Sequence, residues 1–108
     1  MVVDNVLYYT EDYISDRLID LEGNLKYSIA KKVELDEETI NKLLSLLGNY
    51  DNNAHRCMTV YRDAIKINGD IYNICLSCGD YDVNGERRFL HNENEIRELL
   101  NIKKNGKI

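Results

Sequence analysis

The sequence has no proline, no tryptophan and only three cysteines among its 108 residues. An odd number of cysteines argues against the disulfide framework of a small secreted protein. No apolar run approaches the roughly 18–20 residues that a membrane-spanning helix requires. The N-terminus also lacks the basic and apolar regions of a signal peptide. We therefore expect a cytoplasmic protein with no membrane association.

The motifs of common enzymes are also absent. The six glycines form neither a P-loop nor a GxGxxG dinucleotide-binding motif. The two histidines, His55 and His91, lie outside any known nucleophile motif. Asp80 and Asp82 have the pattern of a polar turn, in which carboxylates are usually solvated and do not perform acid–base chemistry. We therefore predict that the chain is not an enzyme.

The net charge of −5 is unevenly distributed. Residues 1–54 hold eleven acidic and five basic residues, whereas residues 55–108 hold eight and nine. This balance disfavours nucleic-acid binding, which requires an excess of positive charge. An acidic surface favours a basic protein partner, although acidity can also serve solubility alone.

Local patterns predict one α+β domain over residues 1–108. Asp36 is a predicted N-cap, and Ile40, Leu43, Leu44 and Leu47 form the apolar stripe of a helix. A hairpin is predicted over residues 18–29 around Gly23, and a second one turns at Asn68-Gly69. A short strand at residues 87–90 and a helix from Asn92 through Leu100 follow. We expect an antiparallel sheet of two hairpins, with about four to six strands and two helices packed mainly on one face.

Four residues have the types and spacing of zinc ligands, and zinc is the one cofactor that the sequence suggests: His55, Cys57, Cys75 and Cys78. A turn at Asn68-Gly69 pairs Cys75 with Arg62, so a straight strand would point Cys75 and Cys78 to opposite faces. Only a bend between them would bring both to one metal. The alternatives are a Cys57–Cys78 disulfide, a thiol-redox pair at Cys75 and Cys78, and small buried side chains.

The pattern C-x(4)-R-x-A-I followed by I-C-x-x-C resembles a group of small uncharacterised bacterial proteins. The residues that carry the resemblance are Cys57, Arg62, Ala64, Ile65, Ile74, Cys75 and Cys78. Members of this group often have proline where this chain has Val60 and Tyr61. The resemblance covers about residues 35–108 and implies a fold, but no established activity.

The function that these observations favour is a non-enzymatic protein-binding module, such as an inhibitor or an immunity protein that neutralises a toxin or effector. Its expected partner is a basic protein. The alternative is a zinc- or thiol-dependent regulatory protein that uses Cys57, Cys75 and Cys78. The expected partner-binding residues combine tyrosines and charges of the second hairpin with acids near the N-terminus: Tyr61, Arg62, Asp63, Tyr72, Asp12, Asp16 and Asp20.

Overall fold

An antiparallel sheet with two helices forms the described part of the chain. The structure is a computed structural model that describes residues 2–11, 17–26, 30–51 and 60–105. In chain order the elements are β1 (Val6–Tyr9), β2 (Lys31–Glu34), α1 (Glu37–Leu47), β3 (Tyr50–Asp51), β4 (Asp63–Ile67), β5 (Asp70–Cys75), β6 (Asp80–Val83), β7 (Glu86–Leu90) and α2 (Glu93–Lys104). The strand order is β2-β1-β4-β5-β6-β7-β3. The α+β class is confirmed, but the seven strands of these residues exceed the predicted four to six.

The second hairpin, formed by β4 and β5, turns where the sequence predicts. Its turn places Asn68 at φ 52° and Gly69 at φ 85°, the left-handed backbone that a two-residue hairpin turn requires. The pairing runs from Ile67 opposite Asp70 to Asp63 opposite Ile74. This is the register that a turn at Asn68-Gly69 implies.

Both helices pack on one face of the sheet, which we call the first face. The Asp36 side chain accepts a hydrogen bond from the Thr39 amide at 3.3 Å, so the predicted N-cap of α1 is confirmed. The apolar stripes of the two helices join the alternating apolar residues of the central strands in one core. This core contains Leu7, Leu35, Ile40, Leu43, Leu47, Ile65, Ile67, Ile74, Tyr81, Val83, Leu90, Ile96 and Leu100.

Residues 17–26 lie against the opposite side, the second face, where the predicted hairpin forms as a short antiparallel pairing and not as two full strands. One isolated bridge joins Ile19 to Leu25, and Gly23 has φ 86° between them. The fully buried Asn73 of β5 holds this segment: its Oδ1 accepts from the amides of Leu18 and Ile19, and its Nδ2 donates to the Ile19 carbonyl. Side-chain hydrogen bonds thus replace part of the expected strand ladder. Residues 27–29 lie outside the described part of the chain.

The expectation that Asp80 and Asp82 are solvated on a turn is wrong. Both lie in β6, where they alternate with Tyr81 and Val83, and both are buried. Tyr81 and Val83 point into the core of the first face, which directs the two carboxylates to the second face. The closing helix also extends beyond Leu100, to Lys104.

Candidate functional site

Two buried carboxylates on the second face are paired with arginines. Arg17 makes a two-pronged contact with Asp82, with Nε 3.0 Å from Oδ2 and Nη2 3.1 Å from Oδ1. Arg87 approaches Oδ2 of Asp80 through Nε at 2.7 Å and Nη2 at 2.6 Å. A buried carboxylate is costly unless it is paired, so these contacts explain how β6 can carry two acids.

Tyr61 lies beside these carboxylates. Its side chain is 9% exposed, and burial raises the pKa of its hydroxyl to about 12, with smaller contributions from the negative charges of Asp82 and Asp80. The hydroxyl therefore stays protonated at neutral pH and can donate a hydrogen bond. It has no capacity to serve as a general base there.

Cys75, Cys78 and Asp80 form what we call the thiol–carboxylate cluster. Cys75 ends β5, residues 76–79 form a turn closed by the bond from the Gly79 amide to the Cys75 carbonyl at 3.0 Å, and Asp80 begins β6. The two Sγ atoms and a carboxylate oxygen of Asp80 all lie within 4.8 Å of one another. The turn therefore supplies the bend that the two cysteines need in order to reach one site.

The two cysteines of the cluster differ in chemical state. Cys75 is a fully buried free thiol, and its Sγ lies 3.4 Å from the hydroxyl oxygen of Ser77. Cys78 is disulfide-bonded. The remaining cysteine of the sequence, Cys57, and the predicted ligand His55 lie outside the described residues. Their role as zinc ligands therefore stays a prediction.

A pocket of about 390 Å³ lies where the ends of the sheet meet α2. The end of β1, the starts of β2 and β4 and the turn after β5 bring their residues to this edge, because neighbouring strands are antiparallel. We call it the cationic pocket. Its charged lining residues are Lys31, Arg62, Arg97 and Lys104, with Glu11 and Asp63.

A buried ion pair organises the wall of the pocket. The side chain of Asp63 is 4% exposed, and its Oδ1 lies 2.5 Å from Nζ of Lys104. That ammonium group also lies 5.1 Å from the ring centroid of Tyr9, a favourable position for a cation. Burial raises the pKa of Asp63, while the charges of Lys104 and Arg62 oppose that shift.

Arg97 is held in place by hydrogen bonds at both ends of its guanidinium group. Nη2 donates to the Leu76 carbonyl and Nη1 to the Asn94 side chain, each at 2.7 Å. The arginine thus ties α2 to the turn that follows β5. Lys31 and Arg62, by contrast, are exposed at the rim.

The expected partner-binding residues do not form one surface. Tyr61 is buried beside the carboxylates of the second face, whereas Arg62 and Asp63 line the cationic pocket.

The other expected partner-binding residues lie elsewhere. Tyr72 is half-buried and packs on the first-face core, with its ring centroid 6.0 Å from that of Tyr81. Asp20 accepts hydrogen bonds from the amides of residues 22 and 24. Asp12 and Asp16 lie outside the described residues.

Sequence reasoning missed three of the four cations of the pocket, namely Lys31, Arg97 and Lys104. Lys104 lies beyond the predicted end of the closing helix at Leu100, although Lys103 and Lys104 have the position of basic residues in the last turn of a helix. No local signal links β2 with α2, so the pocket becomes visible only in the folded chain.

Comparisons with protein-family models, with curated proteins and with solved structures give no match. The resemblance to small bacterial proteins therefore stays a prediction. Among the described residues, no helix has both the length and the apolar character needed to cross a membrane.

Proposed function

We propose that this chain is a non-enzymatic binding protein that takes an anionic group, either a carboxylate or an oxyanion, into the cationic pocket. The observation that carries the proposal is a local reversal of charge. Four basic and two acidic residues line the pocket, whereas the chain as a whole carries −5. A concave site with an excess of one charge concentrates ligands of the opposite charge.

The arrangement of the cations suits an anion. Lys104 is fixed by Asp63 and Tyr9, and Arg97 is fixed by the Leu76 carbonyl. Groups that are already ordered lose little conformational entropy when a ligand binds. The exposed cations Lys31 and Arg62 can then close on the ligand from the rim.

The size of the pocket limits what enters it. A volume of about 390 Å³ lies within the roughly 300–1,000 Å³ of small-molecule sites, so the ligand is a small anion or the end of an acidic side chain. These two sources share the same chemistry. A sulfate ion and an acetylated tri-glutamate peptide represent them separately in an experiment.

An NMR titration of the isotopically labelled protein tests the site. At constant ionic strength, we expect sulfate to shift the amide signals of residues that line the pocket, such as Thr10, Arg62 and Ser77. In water, a positive charge about 6 Å from a divalent anion contributes about 1.4 kcal/mol before screening by salt. The double variant Lys31→Gln/Arg62→Gln should therefore bind sulfate at least about tenfold more weakly.

The matched control is Lys32→Gln/Lys42→Gln, which removes the same charge from exposed positions outside the pocket lining. It should keep the wild-type sulfate affinity. Equal losses in both double variants would mean that only net charge matters, and absence of any saturable shift with sulfate or the peptide would refute the site. Stronger binding of the peptide than of sulfate identifies an acidic protein segment as the source.

The narrower role of an inhibitor or immunity protein is a protein-binding form of this proposal. The basic partner expected from the net charge would instead use exposed acids near the start of α1, which are Glu34, Asp36, Glu37 and Glu38. Native mass spectrometry of the tagged chain, recovered from its host's lysate, distinguishes the two arrangements. A partner retained by Lys32→Gln/Lys42→Gln but lost by Lys31→Gln/Arg62→Gln occupies the pocket, whereas a partner retained by both does not.

A further inference from the structure

The thiol–carboxylate cluster has the donor types and spacing of a site for a soft divalent cation. Thiolate and carboxylate ligands bind zinc at about 2.3 Å and 2.0–2.2 Å, so two sulfur ligands of a tetrahedral ion lie about 3.8 Å apart. The three ligand atoms of the cluster already lie within 4.8 Å of one another. Shifts of about an ångström would complete the geometry.

We propose that Cys75, Cys78 and Asp80 form a zinc-class metal site that becomes available when the disulfide of Cys78 is reduced. In the oxidised chain the Cys78 sulfur is bonded to another sulfur and is no thiolate, so only Cys75 and Asp80 can bind. Reduction supplies the second thiol. Water takes the fourth position of a tetrahedral ion with three protein ligands.

The reaction sequence balances in electrons and protons. A dithiol reductant gives two electrons and two protons to the disulfide and itself becomes a disulfide, which leaves Cys78 and its partner sulfur as thiols. The cation then displaces one proton each from the Cys75 and Cys78 thiols, and both protons leave to solvent. The metal itself changes no oxidation state.

Arg87 makes the bound state electrically neutral. With two thiols, the cluster and Arg87 have a net charge of zero, because the carboxylate of Asp80 is paired with the guanidinium of Arg87. A divalent cation with two thiolates leaves that sum at zero. A carboxylate has two oxygens, so Asp80 can hold Arg87 and a metal together, as outer-shell partners of metal ligands commonly do. Metal binding therefore adds no net charge to this buried site.

The test compares zinc binding by the whole chain in its two redox states. The reductant is a phosphine, which opens disulfides but binds zinc weakly, and native mass spectrometry counts the bound ions. We expect one zinc per reduced chain and none per oxidised chain. Cobalt(II), used as a spectroscopic substitute, should give the absorption of thiolate-to-metal charge transfer only after reduction.

Variants identify the ligands. Cys78→Ser lies in the half-exposed turn, and Asp80→Asn keeps the volume of a buried side chain, so each removes one donor with little loss of packing. Both should weaken zinc binding more than about 100-fold, beyond the usual effect of an outer-shell change. Asp82→Asn is the matched control, because Asp82 lies on the same strand and face and is also buried beside an arginine. It should keep one zinc.

Several results would overturn the site. These are a reduced chain that binds no zinc at micromolar concentration, an oxidised chain that binds it equally well, and an Asp82→Asn variant that loses zinc as Asp80→Asn does. Circular dichroism of each variant separates a lost ligand from a lost fold, and Cys78→Ser provides the decisive measurement if Asp80→Asn fails to fold. The sulfate titration requires none of these residues, so failure of the metal site leaves the anion proposal intact.

Discussion

Replacing Asn73 with alanine should remove about 3–5 kcal/mol from the free energy of unfolding. The side chain makes three buried hydrogen bonds, at 2.9 Å and 3.1 Å from the Leu18 and Ile19 amides and at 3.0 Å to the Ile19 carbonyl. Each contributes about 1 kcal/mol net, and each buried amide left without an acceptor adds a desolvation cost of about 1–3 kcal/mol. Solvent that enters the vacated space offsets part of that cost.

Urea denaturation measures this loss. With a slope of about 1.5 kcal/mol per M for a domain of this size, the midpoint should fall by about 2–3 M. Asn41→Ala is the control, because Asn41 is exposed on α1 and its replacement should change the stability by no more than about 0.5 kcal/mol. Amide hydrogen exchange at Leu18 and Ile19 should accelerate in the Asn73 variant alone. A loss below 1 kcal/mol, or unchanged exchange at those amides, would refute the anchoring role of Asn73.

Three further substitutions test the pocket wall, the core and the hairpin turn. Burial raises the pKa of Asp63, so as the pH rises from about 4 through this raised pKa the folded chain binds more protons than the unfolded chain, and this carboxyl group stabilises the fold less. The stability of the wild type minus that of Asp63→Asn should therefore fall across this range in urea titrations, and a rise would contradict the assignment. Tyr81→Phe removes the 2.7 Å hydrogen bond from the hydroxyl to the Leu47 carbonyl and should lower the free energy of unfolding in urea by about 1–2 kcal/mol. An unchanged urea midpoint would contradict this contribution of the hydroxyl. Gly69→Ala should lower the melting temperature by about 4–8 °C, because φ is +85° while no atom lies within 4 Å of the added Cβ, and an unchanged melting temperature would exclude backbone strain there.

The sequence predicted those elements whose signals are local. Asp36 and the apolar stripe of α1 lie within one helical segment, and Asn68-Gly69 determines both the turn and the register of the second hairpin. Such signals need no knowledge of distant residues. The N-cap and apolar stripe of α1 and the turn of the second hairpin are therefore predictable from local sequence alone.

The strand β6, the cationic pocket and the place of Asp80 beside the two cysteines could not be predicted in this way. Asp82 can be buried because Arg17, 65 positions away in the sequence, lies against it, and no local pattern reports that partner. The bend between Cys75 and Cys78 likewise follows from the end of β5 and the start of β6. The acids of β6 resembled a solvated turn because the apolar alternation of Tyr81 and Val83 is only two residues long.

The turn after β5 belongs to both proposed sites. Cys75, which precedes the turn, and Cys78 belong to the thiol–carboxylate cluster, whereas Leu76 and Ser77 between them line the cationic pocket. Arg97 donates to the Leu76 carbonyl and so connects this turn with α2. A metal that draws the two sulfurs together pulls on both ends of the turn between them. We therefore expect zinc binding to change the affinity of the pocket for sulfate.

Thermodynamic linkage makes this expectation quantitative. The factor by which zinc changes the dissociation constant of sulfate must equal the factor by which sulfate changes that of zinc. We expect a factor of at least about 5, the lower end of typical coupling between sites. Calorimetric titrations of the reduced chain with each ligand, with and without the other, measure both factors.

The charge balance of the metal site makes the cause identifiable. Since zinc replaces two thiol protons and leaves the net charge of the cluster with Arg87 unchanged, we expect a change in sulfate affinity to be transmitted mainly by the turn and not by a gain of net charge nearby. Arg97→Gln removes one cation from the pocket and also the contact with Leu76, so it should weaken sulfate binding and abolish the coupling. Lys31→Gln removes a cation without touching the turn and should weaken binding while the coupling persists. Coupling that survives in Arg97→Gln would show that the two sites do not communicate through residues 75–78.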